Sequence, residues 1–122
     1  AREGLNGWSG LLDRGGLELA GWLDAVACIV GPYYDVVIAG DADEASQRLR
    51  RAFMSLLPAS AVLSSVPAAG ADAALLALAP ALAEKKAIGG IGTAYVCEFG
   101  TCQAPTAEVD KMLAQVLAGW KK

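Results

Sequence analysis

Apolar positions along this chain switch between a helical rhythm and short continuous runs. From Leu17 to Val30 the spacing is helical, with Leu19, Leu23, Val26, Ala27 and Val30 on one face. Gly31-Pro32 ends that stretch. Asp35 to Ala39 is then an apolar run rich in β-branched residues, the pattern of a strand buried on both faces. Gly40 closes it, and Asp41 with Glu44 three residues on reads as a capping box. In the helix that follows, Ala45, Leu49, Ala52, Phe53, Leu56 and Leu57 point inward while Gln47, Arg48, Arg50 and Arg51 face water, until Pro58 stops it. Ala61–Val66 is the second strand, ended by Pro67. Gly70–Ala83 has helical spacing with Asp72 at its start, and Pro80 within it predicts a kink or two short helices. Gly89-Gly90-Ile91-Gly92 is a loop leading to the third strand, Thr93–Cys97. Pro105 and Thr106 open the last helix, with Thr106 as N-cap. Val109, Met112, Leu113, Val116, Leu117 and Trp120 form its apolar face, and Lys121-Lys122 suit its C-terminal dipole.

Strands alternating with helices imply an α/β fold: a small three-layer α/β/α domain with a three-stranded parallel sheet, the first strand central, preceded by an N-terminal helical segment. The boundaries fall at residues 1–34 for the helical lead-in and 35–122 for a Rossmann-like α/β domain. Val37, Ile38, Leu49, Phe53, Leu63, Leu113 and Val116 are the expected core. Residues 1–16 are glycine-rich, and a short helical turn around Ser9–Asp13 is broken by Gly15-Gly16.

A length of 122 residues suits one domain, and an apolar content of 55% excludes disorder. The net charge of −3 argues against nucleic acid and against anionic membrane surfaces. The longest uncharged run, Ala52–Ala71, approaches the length of a membrane span, but Pro58, Pro67, Gly70 and its serines make it helix end, turn and buried strand. Nothing in residues 1–10 has the regions of a signal peptide, and the absence of an initial methionine suggests a fragment of a longer chain. Histidine is absent, which removes Ser-His-Asp and Cys-His catalysis and the usual zinc ligand sets. Three cysteines are too few for a secreted disulfide scaffold, so a reducing cytoplasm is the expected compartment.

The unusual chemistry gathers in Thr93–Pro105, where Cys97 and Cys102 flank a Gly100 hinge. Their spacing is not the Cys-x-x-Cys of a thioredoxin helix. Three readings stay open: structural or incidental thiols, a redox-responsive pair, or a metal site. A turn at Gly100 can bring the two cysteines within disulfide reach, and a helix N-terminus just after Cys102 would lower its pKa. Zinc would need further ligands from Glu98, a distant Asp or Cys28. Cys97 and Cys102 are therefore the redox candidates, and no catalytic residue, cofactor or metal ligand is assigned. Cys97 belongs at or just beyond the carboxyl end of the third strand, the edge where open parallel sheets form binding crevices. Cys28, among apolar neighbours on a helix, reads as a buried inert thiol. Gly40-Asp41-Ala42-Asp43-Glu44 stands where α/β folds bind phosphate, but its acids would repel an anion and capping explains it better. The glycines of 89–92 precede a strand, the wrong end for a phosphate loop. Trp8, Trp22, Tyr33 and Tyr34 are either core or a surface meeting another domain or subunit.

The strand ending Val-Ile-Ala-Gly-Asp, the Ala61–Val66 strand and Thr-Ala-Tyr-Val-Cys-x4-Cys-x2-Pro-Thr together resemble the C-terminal end of the long thioredoxin-domain proteins typified by bacterial YyaL and the spermatogenesis-associated thioredoxin-domain protein. The resemblance covers roughly Val36–Leu117 and is most specific at Tyr95, Cys97, Cys102 and Pro105. It implies an N-terminal thioredoxin-like domain, a helical toroid similar to six-hairpin glycosidases and sugar epimerases, and a small α/β tail. Residues 1–34 then resemble the end of the toroid, and the family's thioredoxin-type cysteines and toroid cavity lie outside this chain. The function so implied is that of an accessory or interaction domain whose partners are the other domains of its own full-length chain or a second subunit. An alternative is the non-catalytic tail of a carbohydrate-processing enzyme.

Overall fold

The computed structural model describes residues 20–56 and 60–118. The readings made above for residues 1–16, and for Leu17, Leu19, Leu57, Pro58, Trp120, Lys121 and Lys122, lie outside the described residues. In chain order the elements are α1 (Ala20–Val30), β1 (Tyr34–Ala39), α2 (Glu44–Leu56), β2 (Ala61–Val66), α3 (Ala73–Leu78), a 3-10 turn (Pro80–Leu82), β3 (Thr93–Glu98), β4 (Thr101–Cys102) and α4 (Val109–Ala118). The expected split of Gly70–Ala83 at Pro80 is present. Asp72 caps the first half by accepting the Leu75 N–H at 2.8 Å.

The sheet has four strands in the order β2-β1-β3-β4, and it is mixed rather than three-stranded parallel. β1 runs parallel to β2, Tyr34 beside Ala61 and Ala39 beside Val66, as expected. β3 is antiparallel to β1, pairing Thr93 with Ala39 and Glu98 with Tyr34. The course of the connections accounts for this. The 13 residues of α2 span about 20 Å, the length of a six-residue strand, and carry the chain back to the sheet's starting end as a parallel crossover requires. α3 has only six residues, about 9 Å, before Pro80 turns the chain. The segment after Pro80 reaches Asp35 and Cys102 at the starting end, and then runs back to Ala68 at the exit of β2, so β3 starts near where β2 stops.

Each strand's alternation feeds two cores. One face of the sheet, with Tyr34, Val36, Ile38, Ala94 and Val96, packs on Leu49 and Phe53 of α2 and Met112 and Val116 of α4. The opposite face, with Val37, Ala39, Val66, Tyr95 and Cys97, is covered by Leu75 and Leu76 of α3 and Leu82 of the 3-10 turn. Of the expected core, Val37, Ile38, Leu49, Phe53 and Val116 are buried. Leu63 and Leu113 are only half-buried against the first core. Leu63 lies on β2, which is a half-exposed edge strand and not the buried strand expected, and Met112 takes the inward position on α4.

At the end of the sheet where β1 stops, three segments approach closely. Gly40 follows β1 and Gly92 precedes β3, with the fully buried Ser46 of α2 against both. A Cβ on Gly92 would overlap the N, Cα and Cβ of Ser46. Reversal of β3 therefore places Gly92, the last glycine of the 89–92 loop, beside Gly40. The space is filled by helix capping. The cap is Asp43 rather than Asp41: its carboxylate accepts the Ser46 N–H at 3.0 Å and the Gly92 N–H at 3.3 Å. The Ser46 N–H holds the Asp43 carboxyl below the ordinary aspartate range, partial burial opposes this, and the Ser46 hydroxyl and the Gly92 and Ala45 N–H groups add to the lowering. Asp41 instead accepts the Ala68 N–H at 2.8 Å, tying the exit of β2 to that of β1. Thr106 is likewise not the N-cap of α4. It exchanges two backbone hydrogen bonds with Ala94 (2.7 and 3.0 Å), and its hydroxyl accepts the Glu108 N–H just before the helix begins.

On α1 much of the apolar surface is exposed, Leu23 to 54% and Val30 to 62% with Trp22 and Ile29, while Val26 and Ala27 are half-buried. Cys28 is exposed too, contrary to the buried thiol expected there. Tyr34, in contrast, is core, at 1% exposure.

The crowding at Ser46 sets a stability test. Gly92→Ala should cost about 1–3 kcal/mol, because the methyl group has only backbone to displace. Gly21→Ala, in open space on α1, should carry no such cost. Urea midpoints of the two variants check this: a Gly92→Ala midpoint equal to that of the parent chain would mean the close approach is not present.

Candidate functional site: a cysteine hairpin beside a cleft

β3 and β4 form a hairpin whose two-residue turn is Phe99-Gly100. Both turn residues have positive φ, 49° and 82°, which is the type I′ geometry that matches strand twist. Glycine takes this without cost; Phe99 takes it although 78% exposed. A turn of this length pairs Glu98 with Thr101 and Cys97 with Cys102. The Gln103 N–H donates to the Val96 carbonyl at 2.9 Å, so the cysteines occupy the intervening non-hydrogen-bonded pair, where side chains stand closest. Their Cα atoms are 3.8 Å apart and their sulfurs are bonded as a disulfide. That separation is far inside the ~7 Å beyond which bridging needs backbone movement.

The two cysteines differ in access. Cys97 is 5% exposed within the second core, while Cys102, on the edge strand, is open to solvent. Lys85, just past the 3-10 turn, places its Nζ 3.1 Å from the Cys102 sulfur. The same ammonium stands 5.2 Å from the centroid of the Tyr95 ring, a cation–π distance. Tyr95 is itself held, its hydroxyl donating to the Lys86 carbonyl at 2.6 Å. On the other side Asp35 pairs with Cys97 across β1 and β3 and is half-buried. Asp35, Val37, Ser64, Leu82, Lys85 and the disulfide line a cleft of about 310 Å³ between the sheet and the 3-10 turn.

Cys97 thus lies at the end of β3, as expected, but at the end of the sheet where β1 and β2 begin. The carboxyl-edge crevice of a parallel sheet does not form there. The positive group at Cys102 is Lys85 and not the dipole of the last helix: the approach to α4 runs past Ala94, three residues or about 10 Å up β3 from Cys97. Lys85 and Asp35 were not singled out from the sequence. Asp35, a charge at the head of an otherwise apolar strand, was the available signal. Lys85 had none, since its position depends on where Pro80 turns the chain.

Among the described residues no group of three or more Cys, Asp and Glu side chains is gathered to hold a metal, and no helix is long and apolar enough to cross a membrane. No family model, no curated protein and no solved structure matches this chain.

The turn offers a direct check on the hairpin. Phe99→Asn replaces a bulky residue with one that tolerates positive φ, and should raise the melting temperature, the gain corresponding to about 1 kcal/mol. A lowered melting temperature would show that the Phe99 ring contributes more than its backbone conformation costs.

Proposed function

We propose that this chain is an accessory domain of a longer thioredoxin-domain protein and that Cys97 and Cys102 form a thiol–disulfide switch within it. The observation that carries the reading is the directly opposed cysteine pair on a two-residue hairpin, one sulfur buried and the other open at a cleft. The bond closes a very short loop already closed by the turn, so its entropic contribution to stability is only about 2 kcal/mol. The second core and the β1–β3 pairing hold Cys97 in place whether or not the bond exists. The pair can therefore open and close without unfolding the domain, which suits a sensor better than a staple. In the cytoplasm, where the reading places it, such disulfides are transient and catalytic or regulatory.

The place in a longer chain is supported by the resemblance of Val36–Leu117 to the tails of the YyaL-type proteins. The exposed apolar side chains of α1 support a contact with another domain of that chain or with a second subunit. The domain's part is to respond to thiol redox state and to pass the change on through that contact.

Thiol titration tests the switch. With a mild oxidant the reduced chain should lose two titratable thiols together and regain them on reduction. Either Cys97→Ser or Cys102→Ser should abolish that loss. Thiols lost singly, or a loss that survives either substitution, would contradict the reading.

A further inference from the structure

Resting on the redox reading of Cys97 and Cys102, we propose that the pair is asymmetric: Cys102 exchanges with the thiol or disulfide of a partner molecule, Cys97 is the resolving sulfur, and Lys85 holds Cys102 as the thiolate. Three observations converge on this assignment. Only Cys102 is open to solvent, so a partner sulfur can approach it in line with the bond, whereas Cys97 is covered by the second core. Of the two sulfurs, Cys102 alone has a cation at contact distance among the described residues, the Lys85 Nζ at 3.1 Å. That cation is itself positioned, resting over a Tyr95 ring whose hydroxyl is tied to the Lys86 backbone on both sides.

The charged and titratable groups facing the pair sort in the same direction. From β1 comes Asp35, opposite Cys97, whose negative charge disfavours a thiolate there. From β3 comes Tyr95, and from the segment after the 3-10 turn comes Lys85. An ammonium beside a thiol lowers its pKa and makes it both the better nucleophile population and the better leaving group at neutral pH.

A partner thiolate attacks the Cys102 sulfur, the Cys97–Cys102 bond breaks, and its electron pair leaves on Cys97, which takes a proton from water. The partner is now joined to Cys102 in a mixed disulfide. A second partner thiolate attacks the partner sulfur of that bond and expels Cys102 as a thiolate beside Lys85. Two thiols have become one disulfide and the domain has become a dithiol. In reverse, the Cys102 thiolate attacks a partner disulfide and Cys97 resolves the adduct. The open cleft at the hairpin suits a small thiol or a flexible peptide cysteine as the partner.

The test uses the whole chain, reduced and then alkylated with iodoacetamide from pH 5 to 9, with mass spectrometry of peptides reading Cys97 and Cys102 separately. Cys102 should react at least about tenfold faster than Cys97 at pH 7, with a pH midpoint below the ~8.5 of an unperturbed cysteine. Lys85→Met should raise that midpoint and slow Cys102 about tenfold at pH 7, the effect of one pKa unit, while Lys85→Arg should keep it low. Glutathione added to the oxidised chain should be trapped on Cys102. Faster labelling of Cys97, a glutathione adduct on Cys97, or a profile that Lys85→Met leaves unchanged would overturn the assignment. Should Lys85→Met fail to fold, the parent chain still decides: a Cys102 midpoint at or above that of an unperturbed thiol overturns it. Labelling is done on the reduced chain, so this outcome is separate from whether the pair oxidises.

Discussion

The direction of β3 against β1 governs both ends of this domain. β1 is paired along its whole length on both sides, to β2 in parallel and to β3 in antiparallel, and all its residues but Asp35 are buried. Because β3 runs downward from Thr93 to Glu98, its start meets the exit of β1, and its end meets the entry of β1. At the first end the result is the tight approach of Gly40, Gly92 and Ser46, secured by Asp43. At the second end the chain is free to turn back on itself at once, and the cysteine hairpin follows. A parallel β3 would have sent Cys97 to the crowded end, toward the capped start of α2, and away from Lys85 and Asp35.

Much of this was legible in the sequence, and what was not has a physical reason. Strand and helix positions followed from periodicity, because burial on one or both faces leaves a period in the pattern. Val36–Ala39 and the Leu49/Phe53 face read correctly for that reason. Strand direction leaves no such mark. It depends on the end of the sheet at which a connection delivers the chain, and here the segment after Pro80 runs back to Ala68 before β3 begins. Capping near Gly40 was recognised, but the choice of Asp43 over Asp41 depended on Gly92 arriving from the far side of the sheet. Cys28 misled in the opposite way, since helical spacing shows an apolar face without showing whether anything covers it.

The cysteine pair lies between these cases. That Cys97 and Cys102 could pair was readable from Gly100 alone. That they stand directly opposite follows from their spacing together with a two-residue turn at Phe99-Gly100, and β4 was too short to show as a strand. The chemical environment was not readable, because Lys85 and Asp35 reach the pair from other elements. Together they give one covered sulfur beside a carboxylate and one open sulfur beside an ammonium. In the proposed exchange such an arrangement would divide the two steps between unlike sulfurs, and the buried β1–β3 pairing would keep the hairpin in place.

On the proposed reading the Cys97–Cys102 bond opens reversibly within a folded domain. Equilibration of the chain in glutathione redox buffers, with the oxidised fraction read by mass and the fold by circular dichroism in the same samples, tests it most directly. The expected result is a single reversible midpoint more oxidising than about −300 mV, the level below which structural disulfides resist the glutathione pool, with unchanged secondary structure on both sides of it. A bond that stays closed at the most reducing ratio, or a chain that unfolds as the bond opens, would contradict it.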